Sequence, residues 1–303
     1  MKALITGGVG FLGAWIAKRL LAAGHEVRIF DRSTNRRLVV GIVGANAPKI
    51  EWLTGDIAND KEVLEATEGC GAIAHLAALL TPACKADPVL GAQVNLVGTI
   101  NVFEAARRHG IQSIAYASSA AVFGPDDGIR PCPKTLYGVF KLACEGVART
   151  FAEDYGVASV GFRPLVVYGP GRATGSTAGV TIACRKAVEG EPYAIPYTGE
   201  TDLIYVEDVA AAFEAALLRP VSGAHVFNLH GEIVDVRRVM EIIRSLRPGA
   251  EITAKGEGVT IAARREPHDP RDTLGPLPFT SIEDGLRQTI AYYEAKASSV
   301  AHR

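Results

Sequence analysis

Short apolar runs alternate with helix-periodic segments through the first 120 residues. Lys2–Thr6 has the length and apolar content of a buried strand, and Phe11–Ala23 sets Trp15, Ile16 and Leu20 at helical spacing. Gly24-His25 closes that helix, because glycine suits the left-handed position after a helix end. Glu26–Phe30, Ile50–Leu53 and Ala72–Leu76 predict further strands, with a charged helix near Asp60–Thr67. Asp87–His109 predicts one long amphipathic helix. Ile114–Ala117 then predicts a strand that ends at Ser118-Ser119. Tyr137–Tyr155 predicts another long helix, followed by the strand Ala158–Phe162. Such alternation builds a parallel sheet with helices on both faces.

After Gly169-Pro170-Gly171 the periodicity weakens, and Gly, Pro and Thr gather through Pro196-Tyr197-Thr198-Gly199. Val209–Leu218 predicts a helix capped by Asp208, and Val226–Leu229 a strand that rejoins the main sheet. The expected fold is α/β: a Rossmann-type doubly wound parallel sheet with a small, loop-rich C-terminal substrate lobe. The expected division is a nucleotide-binding domain over 1–168, rejoined by about 203–230. A substrate lobe over 169–202 and 231–296 and a loosely held tail over 297–303 complete it.

Composition narrows the class. The 303 residues carry 32 Lys+Arg against 33 Asp+Glu, so a polybasic nucleic-acid binder is excluded. Being 48% hydrophobic with a net charge of −1, the chain is not compositionally disordered. No apolar run reaches the roughly 20 residues expected of a membrane span. The apolar start meets glycine at Gly7, too early for a signal peptide. Five cysteines, at 70, 84, 132, 144 and 184, form no regular pattern. They read as reduced thiols of a cytoplasmic protein, Cys132 among them as an idle one, and no metal set is expected.

Candidate chemistry begins at Thr6-Gly7-Gly8-Val9-Gly10-Phe11-Leu12-Gly13, a G-x-x-G-x-x-G pattern between strand and helix. Gly7 would permit the tight turn, Gly10 the approach of a pyrophosphate, and Gly13 close helix–strand packing. Free N–H groups at the helix start would hold the phosphates. A purely structural turn is the alternative. Asp31, at the end of the second strand, can accept bonds from ribose hydroxyls and would repel a 2′-phosphate, favouring NAD over NADP. Arg32 beside it weakens that preference, since a guanidinium could accept the phosphate.

Tyr137 and Lys141 stand four residues apart, on one face of the predicted helix. A phenol titrates near ~10, so it is a poor base at neutral pH without help. A neighbouring ammonium and an oxidised nicotinamide both favour the phenolate, which takes the proton of a substrate alcohol as hydride departs. Ser118-Ser119 lies at the carboxyl end of a predicted parallel strand, where ligands bind in open α/β sheets.

Together these motifs resemble the extended short-chain dehydrogenase/reductase family, also called the NAD-dependent epimerase/dehydratase family. The resemblance adds Gly55-Asp56-Ile57, His75-Leu76-Ala77-Ala78, Asn95-Leu96-Val97-Gly98-Thr99, Ser119-Ala120-Ala121-Val122-Phe123-Gly124, Arg163 through Gly171 and Asp202 through Ala210. It implies that Asp56 and Ile57 flank the adenine and that Leu76, Ala77 and Ala78 line the cofactor ribose. Phe11, Leu12, Pro164 and Val166 would also touch the cofactor. Asn95 would support the hydrogen-bond network, Lys141 would hold the nicotinamide ribose, and Ser119 would be the catalytic hydroxyl. His75 reads as a packed histidine. A homodimer through the 87–109 and 137–155 helices is a further implication.

Three departures shape the expected function. Ala120 and Ala121 stand where the dehydratase branch carries its acidic pair, so water elimination lacks an acid. Val166 and Thr201 replace an Asn and an Arg usual in nucleotide-sugar members, leaving a diphosphate poorly compensated. Arg172 and Arg264-Arg265 are the remaining cations near the substrate, with Thr81 and Ser119 as polar contacts. The segments before Tyr137 and around Arg271–Thr280 are short, which suggests a small substrate. The leading expectation is an NAD-dependent dehydrogenase/reductase acting on a sugar, sugar acid or lactone. The alternatives are an epimerase with transient oxidation and a non-catalytic NAD(H) sensor.

Overall fold

Leu4 and Ile5 send their side chains to opposite faces of the first strand, and both are fully buried. A strand buried on both faces belongs in the middle of a covered sheet, and that is its place. The computed structural model describes residues 1–125, 128–219, 221–266 and 269–301. Its strands are β1 (Lys2–Thr6), β2 (Glu26–Asp31), β3 (Ile50–Thr54), β4 (Ala72–His75), β5 (Ile114–Ala117), β6 (Ser159–Arg163), β7 (Val166–Tyr168), β8 (Tyr193–Ile195), β9 (Glu200–Tyr205), β10 (Ala224–Asn228), β11 (Glu232–Asp235) and β12 (Ile252–Ala254). The α-helices are α1 (Phe11–Ala22), α2 (Arg37–Val43), α3 (Asp60–Thr67), α4 (Thr81–Ala86), α5 (Pro88–Ala92), α6 (Gly98–His109), α7 (Leu136–Tyr155), α8 (Gly179–Glu189), α9 (Val206–Leu218), α10 (Val236–Leu246), α11 (Arg271–Leu274) and α12 (Ile282–Ala301).

The central sheet runs β10-β6-β5-β4-β1-β2-β3, parallel throughout. One face packs Ile5, Ile16, Phe162 and Phe213 under α1 and α9. The other packs Leu4, Val63, Ile73, Phe103 and Tyr116 under α3 and α6. Strand order reverses between β1 and β4, which opens a crevice at the carboxyl ends of the strands.

The strand β10 does rejoin the main sheet, beside β6. The part beyond Gly171 holds more regular structure than its loose periodicity suggests. β9 pairs in parallel with β7 and antiparallel with β11, while β8 and β12 form a separate parallel pair. Helix α9 begins at Val206, so Asp208 is inside it and does not cap it. The Asp208 carboxylate instead accepts the N–H of Thr280 at 2.7 Å and its hydroxyl at 2.9 Å, tying the C-terminal segment down. Helix α12 continues through Ala301, so the expected loose tail is helical up to there; residues 302–303 lie outside the described part.

The expected single helix over 87–109 is interrupted. Asp87 caps α5 by accepting the N–H of Leu90 at 2.9 Å, and a π-helical turn over Gln93–Val97 leads into α6. By length and composition Pro88–His109 is apolar enough to cross a bilayer, and half of it is buried inside the protein. A period of 3.6 in the sequence does not distinguish an α-helix from one that widens for a single turn.

Candidate active site

The crevice starts from the glycine turn after β1. Gly7 has φ +67°, and a Cβ there would lie 2.6 Å from the backbone nitrogen of Ala77. A Cβ on Gly13 would lie 2.6 Å from the Cα of Gly8, so glycine lets α1 press against the loop. Gly10 precedes α1, and no side chain caps that end. The first-turn N–H groups of α1 therefore remain available to an anion, aided by the helix dipole. Asp31 steadies the loop: its Oδ2 accepts the N–H of Val9 at 3.1 Å and its Oδ1 that of Ser33 at 2.9 Å. The narrow turn, uncapped helix start and carboxylate at the strand end fit the pyrophosphate and ribose of a dinucleotide.

A cleft of about 620 Å³ runs from this cradle across the sheet. Its walls include Gly7, Gly10, Phe11, Leu12, Asp31, Arg32, Asp56, Ile57, Leu76, Ala77, Ala78, Pro164 and Arg172, together with Ser119, Tyr137 and Lys141. Leu38, Leu79, Leu80, Leu165, Val167 and Thr174 also line it and were not singled out from the sequence. They have no signature of their own: Leu38 comes from α2, Val167 from β7 and the rest from loops, and only the fold brings them to one cleft.

Helix α7 carries Tyr137 and Lys141. Thr135 caps it, accepting the N–H of Gly138 at 3.1 Å, and Gly156 ends it with φ +68°. Lys141 is buried, and its Nζ donates to the carbonyl of Ala117 at 2.6 Å, which ties the helix to the end of β5. The same Nζ lies 5.7 Å from the centre of the Tyr137 ring. A third member of this stripe, not singled out from the sequence, lies one turn on. Glu145 accepts the Ser118 hydroxyl at 2.5 Å and the Arg163 guanidinium at 2.7 Å and 2.5 Å. The repeat 137, 141, 145 was the available signal. Ser118 is thereby committed to the interior. Ser119, half-buried in the cleft wall, accepts the N–H of Ala121 at 3.1 Å through its hydroxyl oxygen and retains its own proton to donate.

His75 is buried between two threonines, with Nδ1 2.7 Å from Thr6 Oγ1 and Nε2 3.0 Å from Thr99 Oγ1. Burial first, and the Lys141 ammonium second, pull its pKa down to about 3, so the ring is neutral near neutrality. Thr99 donates its hydroxyl to the carbonyl of Asn95 at 2.6 Å, so the His75 Nε2 carries the ring proton and Thr6 donates to Nδ1. The ring is a fixed bridge from the end of β1 to the first turn of α6. It is no acid or base.

Four residues predicted for the site are not in the cleft wall. Asn95 is buried behind it, where its side chain donates to the carbonyl of Leu79 at 2.9 Å and accepts that residue's N–H at 2.7 Å. It shapes the wall through Leu79 and presents no group to a ligand. Val166 is fully buried within β7, and Thr81 is half-buried at the start of α4. Arg265 is the clearest correction. Its guanidinium is wholly buried against Asp202 at 2.6 Å, and Asp202 also accepts the N–H of Gly231 at 2.8 Å. That pairing consumes the charge expected for the substrate. Arg264, exposed, faces Glu200 at 3.8 Å. All five cysteines are unpaired thiols, and no group of three or more metal-ligating side chains occurs among the described residues.

Comparison with known proteins agrees with this geometry. Residues 3–229 match the model of the NAD dependent epimerase/dehydratase family. The chain is 29% identical to UDP-glucose 4-epimerase of Mycolicibacterium smegmatis, over 98% of this chain and 100% of that one. It is also 29% identical to D-erythronate dehydrogenase of Haemophilus influenzae, over 82% of each. The crystal structure of Thermus thermophilus UDP-glucose 4-epimerase in complex with NAD superposes with a TM-score of 0.81 at 27% identity, over 97% of this chain and 99% of that one. The chain spans nearly the full length of these UDP-glucose 4-epimerases, so its length by itself does not argue for a smaller substrate. The cradle, the cleft carrying Ser119, Tyr137 and Lys141, and the match over most of the chain lead to one conclusion: this protein is an NAD-dependent enzyme of the epimerase/dehydratase family, within the extended short-chain dehydrogenases/reductases.

Proposed function

We propose that the protein is an NAD-dependent sugar epimerase, with nucleotide-linked sugars as the first substrates to test. The observation that carries this reading is that Ser119, Tyr137 and Lys141 share one cleft with the glycine cradle. The UDP-glucose 4-epimerases it resembles along their full length favour epimerisation over the net dehydrogenation expected from the sequence.

In this reading Tyr137 takes the proton of a substrate hydroxyl as the carbon beneath it is oxidised, and returns a proton on reduction. Ser119 donates a hydrogen bond to the reacting oxygen. Lys141, held by the Ala117 carbonyl, keeps its ammonium 5.7 Å from the centre of the Tyr137 ring, where it would also hold the nicotinamide ribose. Gly7, Gly10, Phe11 and Leu12 would hold the cofactor's pyrophosphate and Asp31 its adenosine ribose. NAD, when bound, supplies a hydride acceptor and donor.

The test is incubation with NAD and UDP-glucose, with sugar isomers read by NMR and NADH by absorbance. Epimerisation gives a product isomer with no net NADH. Stoichiometric NADH would move the assignment to a dehydrogenase. That second reading has its own support in Thr201 and the consumed charge of Arg265, which leave a diphosphate fewer partners in the lobe. Tyr137→Phe should lower turnover by about 10²–10⁴-fold, the usual range for a positioned acid/base, with NAD affinity unchanged. Undiminished turnover would overturn the catalytic assignment and favour a sensor.

The same reading places the protein in the cytoplasm as a homodimer. Val97 and Ile100 near the start of α6, with Leu136 and Val139 on α7, expose apolar surface that a second copy would cover. Sedimentation velocity tests this: a single species at monomer mass across micromolar concentrations would refute it.

A further inference from the structure

Three arginines with little-exposed side chains have an anionic partner within the chain, whereas buried Lys141 rests on the Ala117 carbonyl. Arg28 faces Glu51 at 2.9 Å, Arg163 faces Glu145 at 2.5 Å, and Arg265 faces Asp202 at 2.6 Å. Arg172 differs from those three. It follows the Gly169–Gly171 turn and lines the same cleft as Ser119 and Tyr137. Its Nη1 donates to the carbonyl of Val167 at 2.6 Å and its Nη2 to the hydroxyl of Thr177 at 2.9 Å. Both acceptors are neutral. Nε is shut off from solvent without a partner, and no ion pair to Arg172 occurs among the described residues.

The nearest groups that influence its charge are the phenols of Tyr197 and Tyr137, and its guanidinium carbon lies 5.9 Å from the centre of the Phe11 ring. Burial lowers the guanidinium's pKa below the ordinary arginine value. Two neutral anchors hold the planar fork still, and two of its four Nη protons remain uncommitted. A part-buried guanidinium held by two neutral anchors, with no anionic partner, in a ligand cleft is suited to an oxyacid that brings its own negative charge.

We propose that Arg172 is the anion-recognising residue of the substrate site. It takes a carboxylate or phosphate oxygen of the substrate while Ser119 and Tyr137 take the reacting hydroxyl. The proposal rests on the oxidoreductive reading of the cleft given above and adds the charge class of the substrate. Two sources carry that chemistry: the diphosphate of a nucleotide sugar and the carboxylate of a sugar acid.

The experiment measures binding in the Tyr137→Phe background, so that turnover plays no part. NAD-loaded protein with and without Arg172→Met is titrated calorimetrically with UDP-glucose, glucose, D-erythronate and the neutral lactone of erythronate. Retained NAD affinity, within about twofold, shows that the variant is folded and that the cofactor pyrophosphate is not the anion in question. The expected result is a loss of at least about tenfold in affinity for one anionic probe, with its neutral counterpart unchanged. A loss confined to UDP-glucose identifies a diphosphate, and one confined to D-erythronate a carboxylate. If NAD affinity falls by a similar factor, or if neither anionic probe binds more weakly to the variant, the proposal is wrong. Turnover is assayed separately with the wild-type protein. An Arg172-dependent affinity without product isomer or NADH would sink only the functional reading; turnover without such dependence would sink only this inference.

Discussion

Replacing Glu145 by Gln tests how the site is braced. The substitution keeps volume and shape but removes the charge that meets the Arg163 guanidinium and the Ser118 hydroxyl. The two charged side chains are only 8% and 14% exposed, so water cannot take over. An amide offers one accepting oxygen and turns its NH₂ towards the guanidinium's own N–H groups. Breaking a buried pair from one side costs about 3–5 kcal/mol, because a charge stays buried without its partner. Typical domains are stable by only about 5–15 kcal/mol, so a large share of the total is at stake. The assay is urea unfolding read by circular dichroism, with a lower midpoint and an unchanged slope. Glu145→Met with Arg163→Met should recover most of the loss, since a well-packed apolar pair is often no worse than an ion pair. A Glu145→Gln loss under about 1 kcal/mol, or a double variant as unstable as the summed singles, would refute the account of a buried charge held by its partner.

Other expectations follow from the same geometry. Gly7→Ala forces a side chain into positive φ and against the Ala77 backbone, so NAD affinity should fall by at least about tenfold in a fluorescence titration; wild-type affinity would show that the turn is not the cradle. His75 has a folded pKa of about 3 against an ordinary 6.5, so the unfolded chain binds the extra proton between those values. Its contribution to stability is therefore present above pH ~6.5 and is lost as pH falls towards ~3, at up to about 1.4 kcal/mol per pH unit. Comparing unfolding of the wild type and His75→Gln between pH 4 and 7 checks this; parallel pH profiles would show that the buried ring is not the group responsible.

Some of this protein was legible residue by residue. The run Lys2–Thr6, the glycine turn, and Tyr137 with Lys141 are local patterns, and 3.6-residue or two-residue spacing already decides which side chains share a face. The order of strands and helices then follows, as does the crevice at their carboxyl ends. The long helix over 87–109 was only half legible: its apolar stripe was visible, but not the π-helical turn that sends the Asn95 side chain to Leu79 instead of into the cleft.

Which charges stay available was decided by tertiary structure alone. Arg172 and Arg265 look alike in the sequence, and both were candidates for an anionic substrate. Folding brings Asp202 across 63 positions to consume the charge of Arg265, while the hydrogen bonds of Arg172 go to a carbonyl and a hydroxyl. Periodicity is a property of neighbours along the chain, so the sequence by itself determines it. Charge compensation depends on distance and burial between segments far apart in the chain, and only the packed structure sets those.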